Sequence, residues 1–413
     1  MKQKAVVTGM GVVTPIGIGV EQFWANLIRG KSGVEPISNF DTEHFTTKFA
    51  AQIKDYQAED YFNSKEIKRM DAYTQYALIA TKEALKQSRL PLQNIDPYRI
   101  GVIVGSGSGG LKTVLENDKR LIERGAKRVS PYLVSSMVVD AASSEITLLT
   151  GAKGKSGAFV TACATGTNCI GEGLRAIQWG EADVMIVGGA EGDLTPLDLA
   201  GFSNIKALST RNDDPQGASR PFDKDRDGFV LGSGGGVLIL ESEDFARNRG
   251  ATILAEIAGY GSTSDAYHQT APDPNAEGMM MSMKKAIEDA GVELSEIDYI
   301  NAHGTSTKYN DYYETMAIKK LWGEAATNIP ISATKSMTGH LLGGAGAVEL
   351  VASICSIREN LIHPTINCDH IDPELNLNFV PHEALAKQVK VALSNSFGFG
   401  GHNASIVAKE WNE

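Results

Sequence analysis

No stretch of this 413-residue chain is long and apolar enough for a membrane-spanning helix. The apolar run that begins at Ala5 is broken by Gly9, Gly11, Thr14 and Pro15, too early for a secretory leader. Positive charge is in deficit: 39 Lys and Arg stand against 50 Asp and Glu, a formal charge of −11. That balance argues against nucleic acid as the main partner, while leaving room for a local basic patch. Cysteine is sparse, and Cys163, Cys169, Cys355 and Cys368 show no metal-type spacing. Without a leader, this usage predicts a cytoplasmic protein with neither a disulfide framework nor a zinc site. Disorder is not expected either, because 42% hydrophobic and 22% charged residues are ordinary for a globular chain.

What is present is alternation. Short apolar runs exchange with longer helical stretches from end to end, which predicts an α/β fold. The pattern repeats. Ala84 to Asp96 ends a helix and leads to an Ile100–Val104 strand; Ala286 to Asp298 has the same spacing and leads to Tyr299-Ile300-Asn301. At the head of each half, Gly9-Met10-Gly11 is echoed by Gly259-Tyr260-Gly261. The expectation is a duplicated body, residues 1–250 and 251–413, divided near Arg249-Gly250-Ala251. Insertions around 31–72 and 111–140 lengthen the first half.

The chemistry-bearing residues sit on glycine-flanked turns after strands. Cys163 lies in Val160-Thr161-Ala162-Cys163-Ala164-Thr165-Gly166, ahead of a helix with Ile170, Leu174 and Ile177 on one face. The start of a helix supplies a positive field that favours a thiolate. His303 follows a strand in Asn301-Ala302-His303-Gly304-Thr305, and His340 closes Thr338-Gly339-His340. One thiol and two imidazoles predict nucleophilic catalysis, with both halves facing one cleft. The catalytic-type turn matching Cys163 is expected between Lys335 and His340. Two other motifs are read as structural. Gly105-Ser106-Gly107-Ser108-Gly109-Gly110 has dinucleotide-type spacing but lacks the following strand and acid, so it reads as a turn lining a pocket. Asp223 to Gly228 opens like a calcium loop, but Gly234 holds the twelfth position. It reads as a turn with Arg226 paired to the aspartates.

Around Cys163, His303 and His340 the chain resembles the β-ketoacyl-acyl-carrier-protein synthases of the thiolase superfamily, synthase II above all. Further matches are Asn301 to Thr307, Thr334 to Gly343, Arg220 to Asp223 with Arg226 to Val230, and Asn395 to Asn403. The resemblance implies two related α/β halves in five layers, α-β-α-β-α. It implies that Cys163 carries the acyl group as a thioester, with the backbone N–H groups of Cys163 and Phe399 as oxyanion donors. His303 and His340 would hold the malonyl thioester carbonyl during decarboxylation, and Lys335 would pair with Glu349 to tune them. Thr305 and Thr307 would bind the pantetheine arm. Phe399, flanked by Gly398 and Gly400, would be a gate. No cofactor and no metal are implied, since substrates arrive on the phosphopantetheine of acyl-carrier protein. Lys65, Lys68, Arg69, Lys127, Arg128 and Lys206 would dock that carrier.

The chain departs from the family's pattern at the acyl pocket. Ser108 stands where isoleucine is usual, Leu133 where phenylalanine is usual, and Ser233 where an acid is usual, while Phe202 is retained. Two pathways therefore stay open. One is fatty-acid elongation by a homodimer; the other is the catalytic ketosynthase of a type II polyketide system, paired with a chain-length factor.

Overall fold

The computed structural model describes residues 2–412. The first half contributes strands β1 (Ala5–Thr14), β2 (Ile100–Gly105), β3 (Ser156–Gly157), β4 (Val184–Glu191) and β5 (Gly234–Ser242). The second contributes β6 (Ala255–Ser264), β7 (Tyr299–Asn301), β8 (Ile331–Ser332), β9 (Val391–Gly398) and β10 (His402–Lys409). Their hydrogen-bonded order is β8-β7-β9-β10-β6-β1-β5-β4-β2-β3. Read from either edge, each set of five has the order third, second, fourth, fifth, first. The pairing senses match too: β2 is parallel to β3 and β4, and β4–β5 and β5–β1 are antiparallel. β7 is likewise parallel to β8 and β9, with β9–β10 and β10–β6 antiparallel. The repeat seen in the sequence is thus a repeat of topology. The turn Arg249-Gly250-Ala251 lies between the two sets.

The helices that matter are α1 (Ala72–Ser88), α2 (Thr165–Gln178), α3 (Glu277–Ala290), α4 (Lys308–Trp322) and α5 (Ala345–Glu359). Helices α2 and α5 form the middle layer. Twelve of the fourteen residues of α2 are buried, so the helix is enclosed on nearly all sides rather than on the one face expected from Ile170, Leu174 and Ile177. A helix lying between two sheets has no solvent face to keep polar. Helix α1 covers the outside of the first sheet, and α3 and α4 cover the second, completing the five layers.

The echoed glycines explain how each outer helix lies so close to its sheet. A Cβ at Gly9 would stand 2.1 Å from the Ala84 carbonyl oxygen, and one at Gly11 would stand 2.0 Å from that of Ala80. In the second half a Cβ at Gly259 would stand 2.1 Å from Ala286 O, and one at Gly261 would stand 2.1 Å from Ser282 O. Both glycine pairs are therefore packing requirements, with the helix backbone seated on bare strand.

The inserted segments of the first half form a cap of helices, among them Leu111–Arg124 and Leu133–Met137. This cap, the helix Ala141–Thr150 that follows it and the neighbouring strand end expose Leu121, Ile122, Val134, Leu148, Leu149 and Phe159. The Asp223–Gly228 turn is structural, but its pairing differs from expectation. Arg226 reaches out of the turn to Asp372 (2.7 Å) and to buried Asp311, while Arg220 takes Asp227 at 3.0 Å. The loop's own Asp223 instead accepts the backbone N–H groups of Asp225 and His370.

Gly9→Ala and Gly259→Ala should each destabilise the protein by about 1–3 kcal/mol or more, read as a lower denaturation midpoint. A midpoint unchanged in both variants would remove the close packing of helix on strand.

Candidate active site

The two central helices cross where their first turns meet. A Cβ at Gly166 would stand 3.0 Å from Ala347 N, and one at Gly346 would stand 2.0 Å from Thr167 Oγ1. This contact sets the turn before α2, Ala162-Cys163-Ala164, against the turn before α5, Leu342-Gly343-Gly344. Both turns begin with a non-glycine residue in the left-handed region, Ala162 at φ 49° and Leu342 at φ 46°. By this match the counterpart of Cys163 is Gly343, a little beyond the Lys335–His340 segment expected from sequence.

Three elements deliver the reactive groups. Cys163 comes from the turn before α2, His303 from the end of β7, and His340 from the segment following the short helix Lys335–Thr338. The sulfur and one ring nitrogen of each histidine lie within 4.8 Å of one another. The rings of His303 and His340 stand edge to face, 5.2 Å apart at 83°. Exposure is 8% for Cys163, 1% for His303 and 2% for His340, so charge on any of them is disfavoured.

Hydrogen bonding fixes which ring nitrogen carries the proton. The backbone N–H of Leu342 donates to Nδ1 of His340 at 3.2 Å, and a backbone amide has no other role to play. The proton of a neutral His340 therefore sits on Nε2. At His303 the Lys335 ammonium lies 3.2 Å from Nδ1, which again leaves Nε2 as the N–H. That Nε2 is buried with no partner among the described residues. Burial, then the nearby Lys335 charge, holds both imidazoles well below their usual pKa, so they are neutral at pH 7. Two N–H donors thus converge on one space beside the thiol.

Lys335 is itself fully satisfied. Besides His303 Nδ1 it donates to the His303 carbonyl at 2.7 Å and to Glu349. Thr334 Oγ1 also donates to Glu349, whose pKa is raised by burial against the pull of Lys335. An ammonium with three acceptors is a fixed charge rather than a nucleophile.

The thiol behaves differently from the sequence expectation. Burial pushes Cys163 up to about 11, against the opposing pull of Lys335 and the Phe399 N–H, with Glu191 adding to the rise. The helix field is present, but desolvation outweighs it. The backbone N–H groups of Phe399 and Cys163 both work to lower the thiol's pKa, as donors near the sulfur do.

The cleft, about 290 Å³, is lined by Cys163, both histidines, Thr305, Thr307, Phe202, Gly398, Phe399 and Lys206. Thr305 and Thr307 share a hydroxyl contact of 3.0 Å, and Thr307 also caps α4. Phe399 lies 6.4 Å from Phe202, which packs on Phe229 against the edge of His340. Gly400 has φ 84°, and its N–H is held by Gln269 O at 2.7 Å. Leu133, itself half-buried, begins a largely exposed turn of helix away from the cleft, and Ser233 is buried next to Ala51. Ser108 faces a separate small cavity with Asp71, Lys112, Glu191 and Asp193, which meets the cleft only at Leu342. Lys65, Lys68, Arg69, Lys127, Arg128 and Lys206 are all exposed. Of these, Lys68, Lys127 and Arg128 line one surface groove.

Sequence reading passed over three groups. Glu191 accepts from the Gly105–Gly110 turn, occupying the anion nest that a dinucleotide phosphate would need. Glu314 accepts the N–H groups of His303 and Gly304 at 2.8 and 2.9 Å, and burial raises it to about 7. Asn403 and Asp265 brace the Phe399 turn, with Asp265 N donating to Gly401 O. No periodicity marks these residues; the one signal was the nest-like glycine spacing, which called for an anion.

Two family models match the chain: the beta-ketoacyl synthase N-terminal domain over residues 2–246 and its C-terminal domain over 254–369. The 3-oxoacyl-[acyl-carrier-protein] synthase 2 of Staphylococcus aureus (strain N315) is 47% identical over 409 residues, covering 99% of both chains. Among solved structures, the ishigamide ketosynthase/chain length factor matches at TM-score 0.92 and 35% identity, with 100% of each chain covered. A type II polyketide synthase acyl-carrier protein in complex with its ketosynthase, bound to the hexaketide, matches at TM-score 0.91 and 34% identity, again over 100% of each chain.

Alkylation of Cys163, followed on its own peptide by mass spectrometry, should speed up about tenfold per pH unit between pH 7 and 9. A flat profile over that range would mean the thiolate is already formed.

Proposed function

Since the chain belongs to the β-ketoacyl synthase family, we infer that it is a β-ketoacyl-[acyl-carrier-protein] synthase, an acyltransferase that forms carbon–carbon bonds in fatty-acid synthesis. The observation that carries the mechanism is the pair of neutral imidazoles with Nε2–H groups aimed beside a thiol. In the first half-reaction, Cys163 Sγ attacks the thioester carbonyl of an acyl carrier. The oxyanion is held by the N–H groups of Cys163 and Phe399, and each such donor is typically worth a few kcal/mol. The carrier thiol leaves with the proton that Sγ gave up. In the second, the Nε2–H groups of His303 and His340 hydrogen-bond the malonyl thioester oxygen. The bond to the carboxylate breaks, carbon dioxide departs, and its electron pair becomes the enolate. The enolate carbon attacks the acyl carbonyl, the C–S bond to Cys163 breaks, and a β-ketoacyl chain two carbons longer leaves. Burial first, then the Lys335 charge that Glu349 holds in place, keeps both histidines neutral donors.

The chemistry calls for no cofactor. A metal would need the Nε2 lone pair of His340, and the Leu342 N–H at Nδ1 keeps a proton there instead. The acyl-carrier protein is the proposed partner, docked through the exposed Lys65, Lys68, Arg69, Lys127, Arg128 and Lys206, none of which has an ion-pair partner among the described residues. The exposed apolar cap supports a second subunit, a further copy of the chain or a chain-length factor. Four buried, unpaired thiols suit a reducing cytoplasm. A polyketide pathway is the second reading. It is supported by the small Ser108, which stands where the family usually carries isoleucine and lines a cavity of mixed character with Asp71, Lys112, Leu111 and Leu194.

Cys163→Ala should abolish acylation. His303→Ala and His340→Ala should each lower malonyl decarboxylation at least tenfold more than acylation; equal loss in both steps would contradict the roles given. Reversing charge with Lys68→Glu and Lys127→Glu should raise KM for carrier-bound substrates several-fold at low salt and flatten its salt dependence. A loss confined to kcat would count against docking at this groove.

A further inference from the structure

The duplicated fold carries a second copy of the nucleophile turn, and the structure fills it. Glu191 ends β4 as Gly398 ends β9, and Gly343 precedes α5 as Cys163 precedes α2. At the working copy a Cβ on Gly398 would stand 3.0 Å from Cys163 N, so the bare glycine leaves that amide free for an oxyanion. At the other copy a carboxylate occupies the corresponding place. Glu191 Oε2 accepts from Gly343 N–H at 3.0 Å and Gly107 N–H at 2.9 Å. Oε1 accepts from Ser108 N–H at 2.9 Å and from the Ser106 hydroxyl at 2.7 Å. Burial raises the pKa of this side chain, which is 4% exposed, and the four donors oppose that rise by stabilising the ionised form.

Those donors come from both halves of the fold. Ser106, Gly107 and Ser108 belong to the turn after β2, and Gly343 adjoins Leu342, the residue whose N–H fixes the tautomer of His340. Losing the Gly343 anchor would free the turn in which Leu342 holds a strained, left-handed backbone. We propose that Glu191 is a positioning residue: its carboxylate stands in for an oxyanion at the inactive copy of the site and locks the His340–Gly343 turn, so that His340 presents Nε2–H to the malonyl thioester. The proposal rests on the condensing reading above. It also sets a fixed negative charge near the sulfur, opposed by Lys335, with the neutral His303 and His340 on the remaining sides.

The test is Glu191→Gln in the full-length protein. One oxygen becomes an NH₂ group facing N–H donors, so at least one pair of anchors is lost. The ratio of malonyl-carrier decarboxylation to Cys163 acylation should fall about tenfold or more, and the pH profile of Cys163 alkylation should move to lower pH, because a negative charge has gone. A general loosening would also expose the thiol and move the profile downward, so the variant is compared at a denaturation midpoint equal to the parent's. Folded Glu191→Gln protein with the parent ratio and the parent profile overturns the proposal. Should Glu191→Gln not fold, Ser106→Ala removes a single donor; its ratio should fall about two- to fivefold, and an unchanged ratio overturns the role. Parent protein lacking both half-reactions would sink the condensing reading itself, whereas active parent protein with an unchanged ratio in the variant sinks only the role of Glu191.

Discussion

The site depends on how closely two buried helices can cross. Gly166 and Gly346 put backbone against backbone at the first turns of α2 and α5, and any side chain there would drive the turns apart. Cys163 stands on one turn. The other carries Leu342, whose amide meets His340, and Gly343, whose amide meets Glu191. Because each helix belongs to a different half, the active site is a property of the duplication and of neither half alone. The outer glycine pairs act in the same way one layer out, seating α1 and α3 on their strands.

Burial then decides the electrostatics. A thiol beside a helix N-terminus and a lysine would ordinarily lose its proton readily, yet desolvation keeps Cys163 protonated until well above neutral pH. The same desolvation keeps His303 and His340 neutral, which is what hydrogen-bond donation to an enolate requires. Two of the buried charged groups around the site, Lys335 and Glu191, are fully partnered. Lys335 donates all three protons to fixed acceptors, and Glu191 receives four donors, so neither needs solvent. Preset dipoles in a largely buried site need little reorganisation as charge moves between the thioester oxygen and the sulfur.

Much of this was legible in the chain. Cys163, His303 and His340 stand in motifs specific enough to be paired before any fold is known, and the Ala84 and Ala286 segments share the same alanine-to-aspartate spacing. The structure explains that match, since it is those two carbonyls that rest on Gly9 and Gly259. Other features were hidden for physical reasons. Nothing local marks Glu191, because its donors lie in turns distant in sequence and meet only through the sheet order. The tautomer of His340 depends on a left-handed Leu342, a conformation that a leucine's identity argues against. The thiol's raised pKa reflects depth, which composition and periodicity do not report. Within one chain Ser108 lines its own small cavity and Leu133 stands on the cap, the place from which a residue reaches a pocket only across a dimer.

The central claim is that both histidines are neutral and protonated at Nε2, ready to donate to one oxygen. Nitrogen-detected NMR on protein labelled with ¹⁵N-histidine measures this directly. Side-chain resonances assigned through His303→Ala and His340→Ala should show a pyrrole-type Nε2 and a pyridine-type Nδ1 for each ring at pH 7, with no change to imidazolium at pH 6. A proton on Nδ1 of His340, or an imidazolium at either position at pH 7, would contradict the account.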